Sequence, residues 1–240
     1  MWRTLMIEKK NEIKGLWILL MYLSWIGITA GFRYFLRLFD YQFVNIWIWA
    51  AMRMTLLLAV TYLFIKFYEK KNFAEGFNFR FRQIGKNILW AVVFVAAAGG
   101  VLWAFQNFIV EPILGSEVIA SSAPEKAVIP SLFERASEFF YIVYEGLVEV
   151  FIFVGFLFDR LARKYGWVAA IILGNIGFAL WHFNYWSSGF LRGTMMIVFV
   201  FIAGIFNSLI YFKTRNSLGS AIGHTLGDFP HAIQFLLGAH

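Results

Sequence analysis

The stretch Phe139–Phe158, FFYIVYEGLVEVFIFVGFLF, is long and apolar enough to cross a bilayer, yet it carries two carboxylates, Glu145 and Glu149. A spanning helix needs about 20 mostly apolar residues. A charge at that depth costs about 2.5–3.5 kcal/mol on insertion scales, so it faces a partner or a water-filled cavity. The two glutamates are four residues apart and therefore lie one above the other on one helix face. The stretch reads as a membrane helix that carries function on one stripe.

The surrounding chain agrees. Of 240 residues, 60% are hydrophobic and 15% charged, whereas a soluble domain sits nearer half apolar and a quarter charged. The aromatic share is 20%, with ten Trp, which suits rings that favour bilayer interfaces. Apolar runs fall at roughly 15–32, 43–65, 87–108, 139–158, 167–186, 194–212 and 218–237. These predict an all-α, polytopic membrane helix bundle of about seven transmembrane helices, forming a single membrane domain over 1–240. Ser131-Leu-Phe-Glu134 has the capping-box pattern, so the fourth helix is expected to begin there. Cys is absent, which excludes a thiolate nucleophile, a disulfide framework and a zinc-thiolate site. The first residues do not read as a cleavable signal peptide, because the charges at Glu8, Lys9, Lys10, Glu12 and Lys14 precede a full-length apolar run.

Orientation follows from the basic residues. With a cytoplasmic N-terminus, that side holds fifteen of the 21 Lys and Arg, the bias expected of cytoplasmic loops. The net charge of +7 is thereby a topology signal, not a nucleic-acid one. The stretch Phe73 to Lys86, with Phe77, Phe79 and Phe81 interleaved with Arg80 and Arg82, is expected at the inner surface against anionic lipid. Membrane lipids are thus expected partners, and nucleic acid is not.

Few ionisable groups lie inside the runs: Arg53, Glu145, Glu149, Asp228, His182, His224 and His231. His224, Asp228 and His231 follow i, i+4, i+7 and share one stripe. Glu149 and His182 are symmetric about Tyr165/Gly166, where the turn between the fourth and fifth helices is expected, so an antiparallel hairpin sets them at one depth. His224, only six residues into its run, reads as shallower. Arg53 is expected to pair with one of the two glutamates or to snorkel. Glu145 and His231 are candidate supporting residues, or plain interhelical hydrogen-bonding partners.

From about 139 to 229 the sequence resembles the CPBP family, the CAAX proteases and bacteriocin-processing (Abi) proteins. That family's first motif is two glutamates with an arginine four residues after the second; the matching stretch here is Glu149-Val150-Phe151-Ile152-Phe153-Val154-Gly155. The second, Phe and three residues before His, matches Phe178-Ala-Leu-Trp-His182. The third, His and three residues before Asn or Asp, matches His224-Thr-Leu-Gly-Asp228. The resemblance implies a motif-bearing core on helices four, five and seven, with Glu149, His182, His224 and Asp228 catalytic and Phe178 supporting. Two positions depart from the pattern: Val150 stands for the second glutamate and Val154 for the arginine. Glu145 or Arg53 could replace a lost partner.

The implied activity is an intramembrane glutamic protease acting on a membrane-associated peptide or lipidated protein, with no cofactor and no metal. Hydrolysis without Ser or Cys needs an activated water and an oxyanion donor. A carboxylate in apolar surroundings holds a proton more tightly and is the stronger base for it. Glu149 with His182 would activate the water, and His224 with Asp228 would polarise the scissile carbonyl. One rival is a metal-dependent membrane hydrolase using the same side chains, although HExxH and Glu-x-x-His spacings are missing. The other is a catalytically impaired relative serving as a peptide-binding or immunity protein.

Overall fold

The computed structural model describes residues 15–38, 46–115 and 131–237, which are helical almost throughout, with no strand among them. Helix α1 is Gly15–Leu38. Helix α2 is Ile46–Phe64, extended by a π turn, Ile65–Glu69, and α3 is the short Phe73–Gly76. Helix α4 starts at Ile84 and continues without a break to Leu114. Helix α5 is α-helical over Leu132–Glu149, π-helical over Val150–Phe158 and α-helical again over Asp159–Tyr165. Helix α6 is Trp167–Trp181, α7 is Phe190–Thr214 and α8 is Ser217–Leu237.

The chain is an all-α membrane bundle. Among the described residues, five helices are long and apolar enough to span: Gly15–Phe32, Trp47–Glu69, Ile84–Leu114, Leu132–Tyr165 and Phe190–Thr214. Helices also occupy the two other stretches read as spans. Helix α6 is shorter, at 15 residues, and α8 has described side chains only as far as Asp228. The side chain of His231 therefore lies outside the described residues.

Helix α5 is the axis of the bundle. In its most apolar stretch 67% of the residues are buried, against 22% for α1, α2 and α7 and 6% for α4; α1, α2, α6, α7 and α8 surround it, while α4 packs against α7 and α8. Both arms of the expected capping box start it: Ser131 N donates to Glu134 Oε2 at 2.8 Å, and Glu134 N donates to Ser131 Oγ at 3.2 Å. It stops at Gly166, whose φ of +84° lies where a side chain would strain the backbone. All nine π-helical residues, Val150–Phe158, are buried. Phe153 meets Trp25, Phe178 and Trp181, and Phe156 meets Trp25 and Phe64. A π segment adds a residue to a turn and re-aims the side chains beside it, a feature common at functional sites. Here it begins directly after Glu149.

The segment after α3 was expected on the membrane surface, but part of it is folded into the bundle. Phe77 is fully buried and packs against Phe151, as does Phe79; Phe81 remains 73% exposed. Burying two rings against the apolar π segment outweighs leaving them at an interface. Gly155 permits the approach, since a Cβ there would stand 2.5 Å from Phe77 O. Asn216, in the turn between α7 and α8, holds the same segment by accepting from Arg80 N at 3.0 Å and donating to Arg80 O at 2.6 Å. Ser217 N donates to Asn78 O at 3.0 Å.

These contacts resolve the apparent shallowness of His224. The α7–α8 turn docks at the level of Gly155, not at the end of α5. Glu149 lies six residues from Gly155 on α5 and His224 seven from Ser217 on α8, about two turns from the docked loop in each case. The two side chains thus reach the same depth.

Candidate active site

Four side chains from α5, α6 and α8 meet at that depth. Glu149 is 4% exposed. His182 Nε2 stands 3.7 Å from its Oε1, and His224 Nε2 stands 3.7 Å from its Oε2. His224 Nε2 is also 3.1 Å from Asp228 Oδ2, one helical turn on. Each oxygen of one buried carboxylate therefore faces a different imidazole, while Asp228, 44% exposed on its side chain, borders the open side.

Local structure sets each position. His182 is not within a helix, as the apolar run suggested, but closes α6 as its C-cap, with a 3-10 turn over Phe183–Ser188 following. Its Nδ1 lies 2.9 Å from Phe178 O. A carbonyl only accepts, so Nδ1 carries the proton and Nε2 of the neutral ring is a lone pair directed at Glu149. The Phe178 ring stands edge-on to His182 at 4.9 Å and to His224 at 6.2 Å, and walls the site. Gly146 lets α8 come close, since a Cβ there would be 3.0 Å from His224 Cδ2.

Glu149, Val150, Val154, Phe178, Asn207 and His224 are among the residues lining a small cavity on the scale of a single water. Glu149 Oε1 and Asn207 Oδ1 are both buried without a hydrogen-bond partner. Val150 and Val154 add only apolar wall and are themselves 1% and 6% exposed. Such a cavity, with acceptors on one side and an imidazole on the other, suits a polarised water.

Arg53 and Glu145 form a separate pair beside this group. Arg53 Nη2 is 3.7 Å from Glu145 Oε1 and 3.4 Å from Tyr141 Oη, which itself donates to Glu145 Oε1 at 2.5 Å. Of the two glutamates, Arg53 pairs with Glu145. Among the described residues no three His, Asp or Glu side chains converge to hold a metal ion. Sequence reading missed two polar residues near the group. Asn207 of α7 bonds to His224, and Asn175 of α6 bonds to Ser208 of α7 at 3.1 Å. Neither is ionisable, and an uncharged amide in a membrane helix is the signal by which the sequence marks both.

Residues 135–230, a segment that holds all four side chains and most of their three helices, match the family model described as type II CAAX prenyl endopeptidase Rce1-like. Residues 135–230 belong to the CPBP family. The CPBP segment leaves α1 to α4 uncovered, Arg53 included. Comparison with curated proteins and with solved structures found no significant match. The matched segment is similar to the core of an intramembrane protease family, and the apolar helices fit an integral membrane protein.

Proposed function

We propose that the chain is an intramembrane endopeptidase in which Glu149, assisted by His182, activates a water for attack on a peptide carbonyl. The observation that carries this reading is the buried Glu149 carboxylate, set 3.7 Å from each of two imidazole nitrogens. Glu149 Oε1 and His182 Nε2 are both acceptors, and a water between them can give a proton to each. As its oxygen adds to the carbonyl carbon, Glu149 takes the proton and later returns it to the leaving amine. His224 Nε2–H, bonded to Asp228 in the resting site, is the donor that meets the oxyanion. The half-exposed Asp228 yields its place to the substrate oxygen and keeps His224 oriented.

The family description, a CAAX prenyl endopeptidase, favours a prenylated peptide as the substrate. The excess of basic residues in the loops on that side supports a cytoplasmic N-terminus. The impaired-enzyme reading has one observation in its favour: Val150 and Val154 stand where the family carries charge. It is weakened by the survival of Glu149, both histidines and Asp228 in one group.

The test is cleavage in proteoliposomes of a panel of farnesylated and unfarnesylated peptides, by the parent and by Glu149→Gln. The amide cannot take a proton from water, so E149Q is expected to remain folded and to lose cleavage. Cleavage by E149Q at the parent rate would overturn the mechanism. Peptide binding without cleavage by the parent would support the impaired-relative reading instead.

A further inference from the structure

Asn207 lies on α7, outside the three motifs, between α6 and α8. Its Nδ2 is 3.1 Å from His224 Nδ1, and Ser220 Oγ on α8 donates to its backbone carbonyl at 3.0 Å. The second bond fixes the two helices to each other at the residue that supplies the first.

An amide nitrogen only donates, so His224 Nδ1 is the acceptor and carries no proton. The other side of the ring makes the same demand. Nε2 faces Asp228 Oδ2 at 3.1 Å and Glu149 Oε2 at 3.7 Å, two acceptors that call for a proton on Nε2. Two independent contacts, on opposite edges of one ring, thus select one tautomer. His182 is held in the opposite tautomer by the Phe178 carbonyl. One imidazole offers Glu149 a lone pair and the other offers it an N–H.

We propose that Asn207 is a positioning residue: its amide holds His224 with the proton on Nε2, aimed at Glu149, Asp228 and the carbonyl oxygen of a bound peptide. Giving its nitrogen to His224 leaves Asn207 Oδ1 unpaired in the lining of the cavity it shares with Glu149. The amide is thus spent on the imidazole at the expense of its own acceptor. Its consequence for turnover rests on the protease reading; the tautomer itself does not.

The experiment is ¹⁵N NMR of bilayer-reconstituted protein labelled only at histidine, since the chain has 4 histidines and the His224 signal is identified by its loss in His224→Gln. The parent is expected to show His224 protonated at Nε2 alone. Asn207→Asp, an isostere that only accepts when ionised, is expected to move the proton to Nδ1 or to protonate both nitrogens. Asn207→Leu is expected to leave a tautomer mixture. Both should lower kcat about tenfold or more with KM little changed, the scale of one lost orienting hydrogen bond. Thermal melting of each variant separates this from misfolding; should N207L fail to fold, N207D carries the test. A parent His224 protonated at Nδ1, or a tautomer that is the same in N207D as in the parent, would overturn the proposal. If the tautomer responds as expected but the parent cuts no peptide, the protease reading fails and the assignment of Asn207 stands.

Discussion

Glu149 Oε1 and His182 Nε2 stand 3.7 Å apart as two acceptors face to face, because the proton of His182 is committed to the Phe178 carbonyl at 2.9 Å. The gap exceeds a direct hydrogen bond and needs a proton donor within it. His182→Ala removes the lone pair that would share the water with Glu149. A cleavage rate roughly 10²- to 10⁴-fold below the parent is expected, the range for one acid–base group. Steady-state kinetics on a verified peptide check this, and a loss of less than tenfold would remove His182 from the proposed chemistry.

Gly155 is where the depth of the site is set. A Cβ there would stand 2.5 Å from Phe77 O, and backbone cannot step aside as a flexible side chain can. Gly155→Ala is expected to destabilise the fold by about 1–3 kcal/mol, as overpacking does, and to shift the segment that Asn216 ties to the α7–α8 turn. Gly99, with nothing within 4 Å of its Cβ position, is the control: Gly99→Ala should be neutral or slightly stabilising. Thermal melting in one detergent reads both, and equal melting temperatures would show that the Phe77 contact bears no load.

The sequence made much of this legible for a physical reason. Charges are costly in lipid, so Glu149, His182, His224 and Asp228 stood out against apolar runs, and hairpin symmetry about Gly166 put the first two at one level. The expected capping box at Ser131 follows from local chemistry alone, and it starts α5 as read. What stayed hidden depends on tertiary packing. The depth of His224 is set by a loop docking on Gly155, which no periodicity reports. Phe77 and Phe79 read as surface residues because their basic neighbours are, yet the rings turn inward onto Phe151. His182 ends its helix instead of continuing it, since Phe178 and Trp181 pack inward and the chain reverses through a 3-10 turn. Asn207 was passed over because an amide costs less in lipid than a charge and leaves a weaker mark.

Arg53 and Glu145 are expected to behave as one unit. Each retains some exposure, 16% and 29% of the side chain, so their separation should cost less than a fully buried pair, about 1–2 kcal/mol for Arg53→Gln or Glu145→Gln alone. Either change leaves the other charge at membrane depth without its ion-pair partner. The double variant should therefore lose less than the sum of the singles, by about 0.5 kcal/mol or more. Unfolding of the four proteins in one detergent gives the cycle; strict additivity would mean that the 3.7 Å approach carries no coupling.

Metal dependence is the remaining division between mechanisms that make the same residues essential. A zinc ion would need nitrogen and oxygen ligands at about 2.0–2.2 Å. In this site His182 and His224 address different oxygens of Glu149, His224 is bonded through Nε2 to Asp228, and among the described residues no three such side chains are spaced to hold a metal ion. Under the proposed mechanism these side chains hold a proton and a water by hydrogen bonds. Cleavage by protein washed with a strong chelator is therefore expected to match that of untreated protein, and added zinc or iron to give no gain. Loss of activity on washing, restored by one metal bound at a single equivalent, would reassign Glu149 from base to ligand.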